Sequence, residues 1–163
     1  MKFFKVFLFI LACSTVGHSQ SSIAETLKKF NSESVPYIYV KDLALAEQSI
    51  VLDAREKEEF LVSHLKNAIW VGHKTFRPKT VLSQVKDKNK PIIVYCSVGV
   101  RSEDIGEKLM ELGYSNIKNL YGGIFEWKNQ GYPVFDSNGE ETDKIHAFSK
   151  QWGELLTNGI KVL

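Results

Sequence analysis

The 163-residue chain is 44% hydrophobic and 25% charged, enough for one globular core and too short for two large domains. A formal net charge of +2 leaves no basic footprint for nucleic acid, and that class of partner is set aside.

The chain opens "MKFFKVFLFILACSTVGHSQ", with Lys2 and Lys5 ahead of an apolar run from Val6 to Val16 and then small and polar residues. This pattern predicts a secretory signal peptide over residues 1–19. The run falls short of the roughly 20 residues that a membrane span needs. An alternative leader ends at residue 12, because "ILAC" resembles a bacterial lipobox, although Leu11 is bulky for its middle position; Cys13 would then carry a lipid anchor. The expected location is exported and periplasmic, either free or anchored at Cys13. Cleaving residues 1–19 removes two lysines and no acid, leaving 19 basic residues against 19 acidic ones. Cys13 is lost or lipidated by either route, so Cys96 is the one free thiol of the mature domain and no internal disulfide forms.

Residues 20–34 read as an N-terminal extension, with Ile23, Leu27 and Phe30 on one face of a short helix. From Val35 the pattern alternates. "PYIYV", "SIVLDA", "AIWVG", "PIIVYC" and "IKNLYGG" read as strands, each followed by a helical segment. Five such strands predict an α/β fold with a five-stranded, mainly parallel sheet covered on both faces, over residues 35–135. Residues 136–163 are expected to be a mainly helical extension, because Ile145, Phe148, Trp152 and Leu155 share one helical face. Docking on the domain is the expected use of that helix, with a protein partner as the alternative. The sequence shows no cluster of metal-ligating residues, and no metal is expected.

The chemistry concentrates in "CSVGVRS", residues 96–102. "PIIVY" is apolar throughout, as suits a central strand, and ligands gather at the carboxyl ends of such strands. Ser102 is read as the cap of the following helix, with Ile105, Leu109 and Leu112 on its inner face and Gly113 at its end. A thiolate beside a helix start gains from the dipole and from unpaired N–H groups. Gly99 permits a positive φ, which lets successive N–H groups curl around an anion or an anionic sulfur. Arg101 adds a cation at the rim. A buried, inert cysteine is the alternative, since free cysteine is among the most buried residue types.

These residues resemble the rhodanese family. "LDAREKEEF" is similar to its Asp-x-Arg segment, "SHLKNAIWV" to its histidine-containing approach to the third strand, "VYCSVGVRS" to its active-site loop and "NLYGGIFEW" to its closing Gly-Gly-x-x-x-Trp. The resemblance spans about Val35 to Pro133, with Ser63, Lys66 and Asn67 standing where the family often has Gly, Pro and Gly. It implies a sulfurtransferase that carries a sulfane sulfur as a persulfide on Cys96, taken from a donor such as thiosulfate and passed to a thiol or cyanide. It also implies that backbone N–H groups of Ser97, Val98, Gly99, Val100, Arg101 and Ser102 hold the persulfide, and that Arg101 favours an anionic donor. Asp53 and Arg55 match positions that support the loop, and His64 is given a structural role. No cofactor beyond the covalent persulfide is implied. A rhodanese-like sulfur carrier or binding module without turnover is the second reading. A phosphatase of the related fold is the third, and its loop resembles Cys, five residues, then Arg, where this chain has four between Cys96 and Arg101.

Overall fold

The computed structural model describes residues 22–46 and 48–163. The signal-peptide and Cys13 expectations lie outside the described residues. No described helix is long and apolar enough to cross a membrane.

The chain begins with α1 (Ile23–Phe30), whose Ser22 and Glu25 form a reciprocal capping box. Then come β1 (Tyr37–Ile38), α2 (Val40–Leu45), β2 (Ile50–Asp53), α3 (Lys57–Val62), β3 (Ile69–Trp70), α4 (Pro78–Gln84), β4 (Ile92–Tyr95), α5 (Val100–Glu111), β5 (Ile117–Leu120) and α6 (Gly123–Asn129). The five strands pair in parallel in the order β1-β5-β4-β2-β3, with β4 at the centre. The expected α/β architecture is therefore the observed one.

Period-two alternation along β4 sorts the core into two layers. Ile92, Val94 and Cys96 face Ile105 and Leu109 of α5, while Ile93 and Tyr95 face Leu43, Ile124 and Phe125 on the other side. Every residue of β4 is buried, as expected for a strand covered on both faces.

The C-terminal segment corrects the expectation of a mainly helical extension. It consists of β6 (Val134–Phe135), β7 (Glu141–Thr142), β8 (Lys144–His146), a single turn α7 (Lys150–Gly153) and β9 (Ile160–Val162). β8 pairs in parallel with β9, Ile145 opposite Lys161. This ladder joins residues distant in sequence, and local periodicity carries no trace of it. Phe148 also interrupts any continuous helix, because its φ of 64° lies in the left-handed region. Ser149 then caps the short α7 by accepting from the Trp152 N–H. The single helix expected over Ile145, Phe148, Trp152 and Leu155 is reduced to this one turn. The segment is nonetheless part of the core: Ile145, Leu155 and Leu156 pack with Phe125 and Val134.

Candidate active site

Cys96 follows β4 at the carboxyl end of the sheet and is buried. The helix behind it starts earlier than read from sequence. Gly99, at φ 113°, is the N-cap of α5, and Ser102 lies inside the first turn. The early start of α5 places donors next to the sulfur. The Gly99 N–H donates to Cys96 Sγ at 3.1 Å, and the Ser102 hydroxyl stands 3.6 Å from the same atom. The first turn of α5 adds N–H groups that have no acceptor within the helix.

Three groups of contacts shape this loop. Asn119 on β5 accepts from Ser102 Oγ at 2.7 Å and donates to the Gly99 carbonyl at 2.8 Å. Asn31, just past α1, donates to the same carbonyl at 3.0 Å. On the other side, the Ile124 and Phe125 N–H groups at the start of α6 donate to the carbonyls of Cys96 and Ser97 at 2.9 and 3.1 Å. Both outer carbonyls are thus turned toward α6, and the Gly99 carbonyl toward the asparagines. The Gly99 N–H is left aimed at the sulfur. Gly123 makes the α6 approach possible: a Cβ there would collide with the Cys96 carbonyl oxygen and sit 2.7 Å from the Ser97 carbonyl carbon.

Arg101 is not the free rim cation expected. Its guanidinium forms a two-pronged pair with Glu59 of α3, Nη1 to Oε2 at 2.7 Å and Nη2 to Oε1 at 2.8 Å, and Nη2 also donates to Ser97 Oγ at 2.9 Å. Ser97 Oγ in turn donates to Glu59 Oε1. Burial opposes both charges, but the shared hydrogen bonds and Coulomb attraction outweigh it. The Glu59 carboxyl is held below its ordinary range and the Arg101 guanidinium above its own. Glu59 was missed at the sequence level because it sits in the acidic run "EKEE", which reads as a solvated helix start.

Asp53 and Arg55 form a second, fully buried pair, Arg55 Nη2 to Asp53 Oδ2 at 2.7 Å, and Nη2 also donates to the Ser63 carbonyl at 2.6 Å. The Arg55 guanidinium lies 5.5 Å from the centre of the Tyr95 ring. These residues brace the end of β4 and the exit of α3, one step removed from the loop. His64 pairs with Phe135 through its backbone and stacks on Phe60, a structural placement.

A cavity of about 120 Å³ opens beside the sulfur, lined by Val98 and Val100 of the loop, by Ser97 and Arg101, and by Phe148 and Trp152. Phe148 and Trp152 were read as part of a helical face, and nothing in their spacing points to the loop. Asn119 left a legible signal: a polar residue on the inward side of a strand, buried between exposed Lys118 and buried Leu120.

A buried cysteine at the end of a central parallel strand, with the N–H of a left-handed glycine directed at its sulfur and a helix start behind it, defines an α/β domain built around a thiol-bearing anion cradle. Residues 38–130 match the rhodanese-like domain, and the chain belongs to that family. A rhodanese-related protein of Thermoplasma volcanium is similar at 33% identity, with a TM-score of 0.54 over 61% of this chain and 96% of that one. The thiosulfate sulfurtransferase of Pseudomonas aeruginosa shares the fold, at 19% identity and a TM-score of 0.57 over 65% of this chain and 21% of that one. The tRNA uridine(34) hydroxylase of Erwinia tasmaniensis is 32% identical over 133 residues, covering 71% of this chain and 38% of its own length. The chain thus spans under two fifths of the curated relatives it matches.

Proposed function

We propose that the chain is a sulfurtransferase whose Cys96 carries a sulfane sulfur as a persulfide. The observation that carries this reading is the Gly99 N–H directed at Cys96 Sγ from 3.1 Å, in a loop whose Cys96, Ser97 and Gly99 carbonyls are drawn away to α6 and the two asparagines. A cradle of this kind favours an anionic sulfur and stabilises charge as it moves. With thiosulfate as donor, the Cys96 thiolate attacks the outer sulfur, the donor S–S bond breaks, and sulfite leaves with its electron pair. An acceptor thiolate or cyanide then attacks the outer sulfur of the persulfide and restores the thiolate. No group beyond the cysteine enters these steps.

The candidate loop, Ser97 through Ser102, holds the persulfide in this reading, and Asp53 and Arg55 act at a distance. Export to the periplasm, free or anchored at Cys13, belongs to the same proposal. The hydroxylase activity in the relatives' names is not carried over. Most of their length has no counterpart here, and the near-neutral charge offers no electrostatic footprint for a tRNA.

Steady-state thiocyanate formation from thiosulfate and cyanide tests the two-step scheme. Parallel double-reciprocal lines are expected. Intersecting lines would overturn the persulfide intermediate, and a persulfide that forms without turnover would make the domain a carrier.

A further inference from the structure

The cavity beside Cys96 has an unusual far wall. Phe148 is half exposed and left-handed, with φ 64°, and its N–H is held by His146 Nδ1 at 3.0 Å. Its ring lies 5.0 Å from the Arg101 guanidinium and edge-on to Trp152, whose ring in turn contacts Phe30 of α1. A bulky residue in this backbone region is kept there only by its surroundings, which here display the ring at the mouth of the site. Arg101 presents no uncompensated charge, because Glu59 takes both prongs of its guanidinium. The cavity therefore offers aromatic and aliphatic walls around the approach to the sulfur. Its volume of about 120 Å³ approaches the roughly 150 Å³ of an apolar cavity known to take up benzene.

We infer that the sulfane-sulfur substrate of Cys96 bears an apolar carbon group of about ring size next to its sulfur, and that Phe148 and Trp152 determine this specificity. The substrate class is an organic persulfide or thiosulfonate in preference to inorganic thiosulfate. This inference rests on the sulfurtransferase reading. For a persulfide R–S–S–H, the Cys96 thiolate attacks the outer sulfur and a new S–S bond forms. The bond to R–S breaks, and its electron pair leaves as R–S⁻. The proton stays on the transferred sulfur, giving Cys96–S–S–H. No outside oxidant or reductant takes part, and R rests against Phe148 and Trp152.

The test loads the full chain from thiosulfate, methanethiosulfonate and benzenethiosulfonate, following sulfur addition by rapid-quench intact mass. Each rate constant is normalised to that of the same donor with free cysteine. The two thiosulfonates carry the same charge and differ in the apolar group. Benzenethiosulfonate is expected to load about tenfold faster than methanethiosulfonate and faster than thiosulfate, with the benzene-to-methane ratio falling to about twofold in Phe148→Ala. Equal normalised rates from all three donors in the unmodified chain would overturn the inference and leave the sulfurtransferase reading standing. An unchanged ratio in Phe148→Ala would overturn the role of the aromatic wall. Loading from none of the three would overturn the sulfurtransferase reading itself. The comparison within the unmodified chain needs no variant to fold.

Discussion

Glu59 shows how one side chain changes the meaning of a motif. The arginine five residues after Cys96 reads as an anion-binding group, yet its partner is a carboxylate only 2% exposed, and the pair adds no net charge to the site. Its contribution is to lock Ser97 and α3 to the loop. Glu59→Gln removes the negative charge while Arg101 stays largely buried, and a loss of about 3 kcal/mol in urea unfolding at neutral pH is expected, the low end for a broken buried pair. The pH dependence follows from the sign of the shift. Because the folded Glu59 carboxyl titrates below its ordinary value of 4.5, its stabilisation is complete above that value and is lost as pH falls through the lower folded one. The gap between the unmodified chain and Glu59→Gln should hold from pH 8 to pH 6 and close below about pH 4.5. A gap that widened in acid would contradict the pairing.

Among the elements, α6 and β5 do for the loop what no loop residue does for itself. The Gly-Gly pair that begins α6 lets its N–H groups reach the carbonyls of Cys96 and Ser97, and Gly123→Ala has no room for its Cβ and requires a positive φ of 55° from alanine. A fall in persulfide loading of tenfold or more is expected, with a stability loss of about 2 kcal/mol; normal loading in a folded variant would show that the α6 contact does not set the cradle. Asn119→Ala removes the acceptor of the Ser102 hydroxyl and one of two donors to the Gly99 carbonyl. A cost of about 1–3 kcal/mol is expected from the stranded polar groups, read as a lower urea midpoint at unchanged slope. The strand alternation, the loop position and the short helix α1 were legible because each depends on local residue order. The start of α5 was misplaced by three residues because a glycine at positive φ ended the loop before the serine could cap it. Glu59 and Asn31 act across 42 and 68 residues of chain, and no local pattern marks such partners; Asn119, acting across 20 residues, is marked only by its polar side chain on an inward strand position.

At the scale of the molecule, segments on either side of the α/β sheet domain in sequence converge on one site. Leu27 of α1 lies against Gly99, and Phe30 touches Trp152, so the N-terminal extension and the C-terminal segment meet over the loop. The periodicity of Ile145, Phe148, Trp152 and Leu155 correctly marked apolar positions but not their use, since Ile145 pairs in a strand and Phe148 stays at the surface. Ile145 and Leu156 are fully buried and Leu155 nearly so. At about 1.5–3 kcal/mol for each such side chain, their removal rivals the 5–15 kcal/mol that holds a typical domain together. A chain ending at residue 135 is therefore expected to lose cooperative thermal unfolding, and a sharp transition near that of the full chain would show the segment to be an appendage. All of this packing converges on one thiol, and intact mass spectrometry after exposure to a sulfane-sulfur donor tests that convergence most directly. The full chain should gain the mass of one sulfur atom and lose it again to cyanide, while Cys96→Ser gains none. Retention of the added sulfur in Cys96→Ser, or no gain from any donor in the unmodified chain, would contradict the persulfide site.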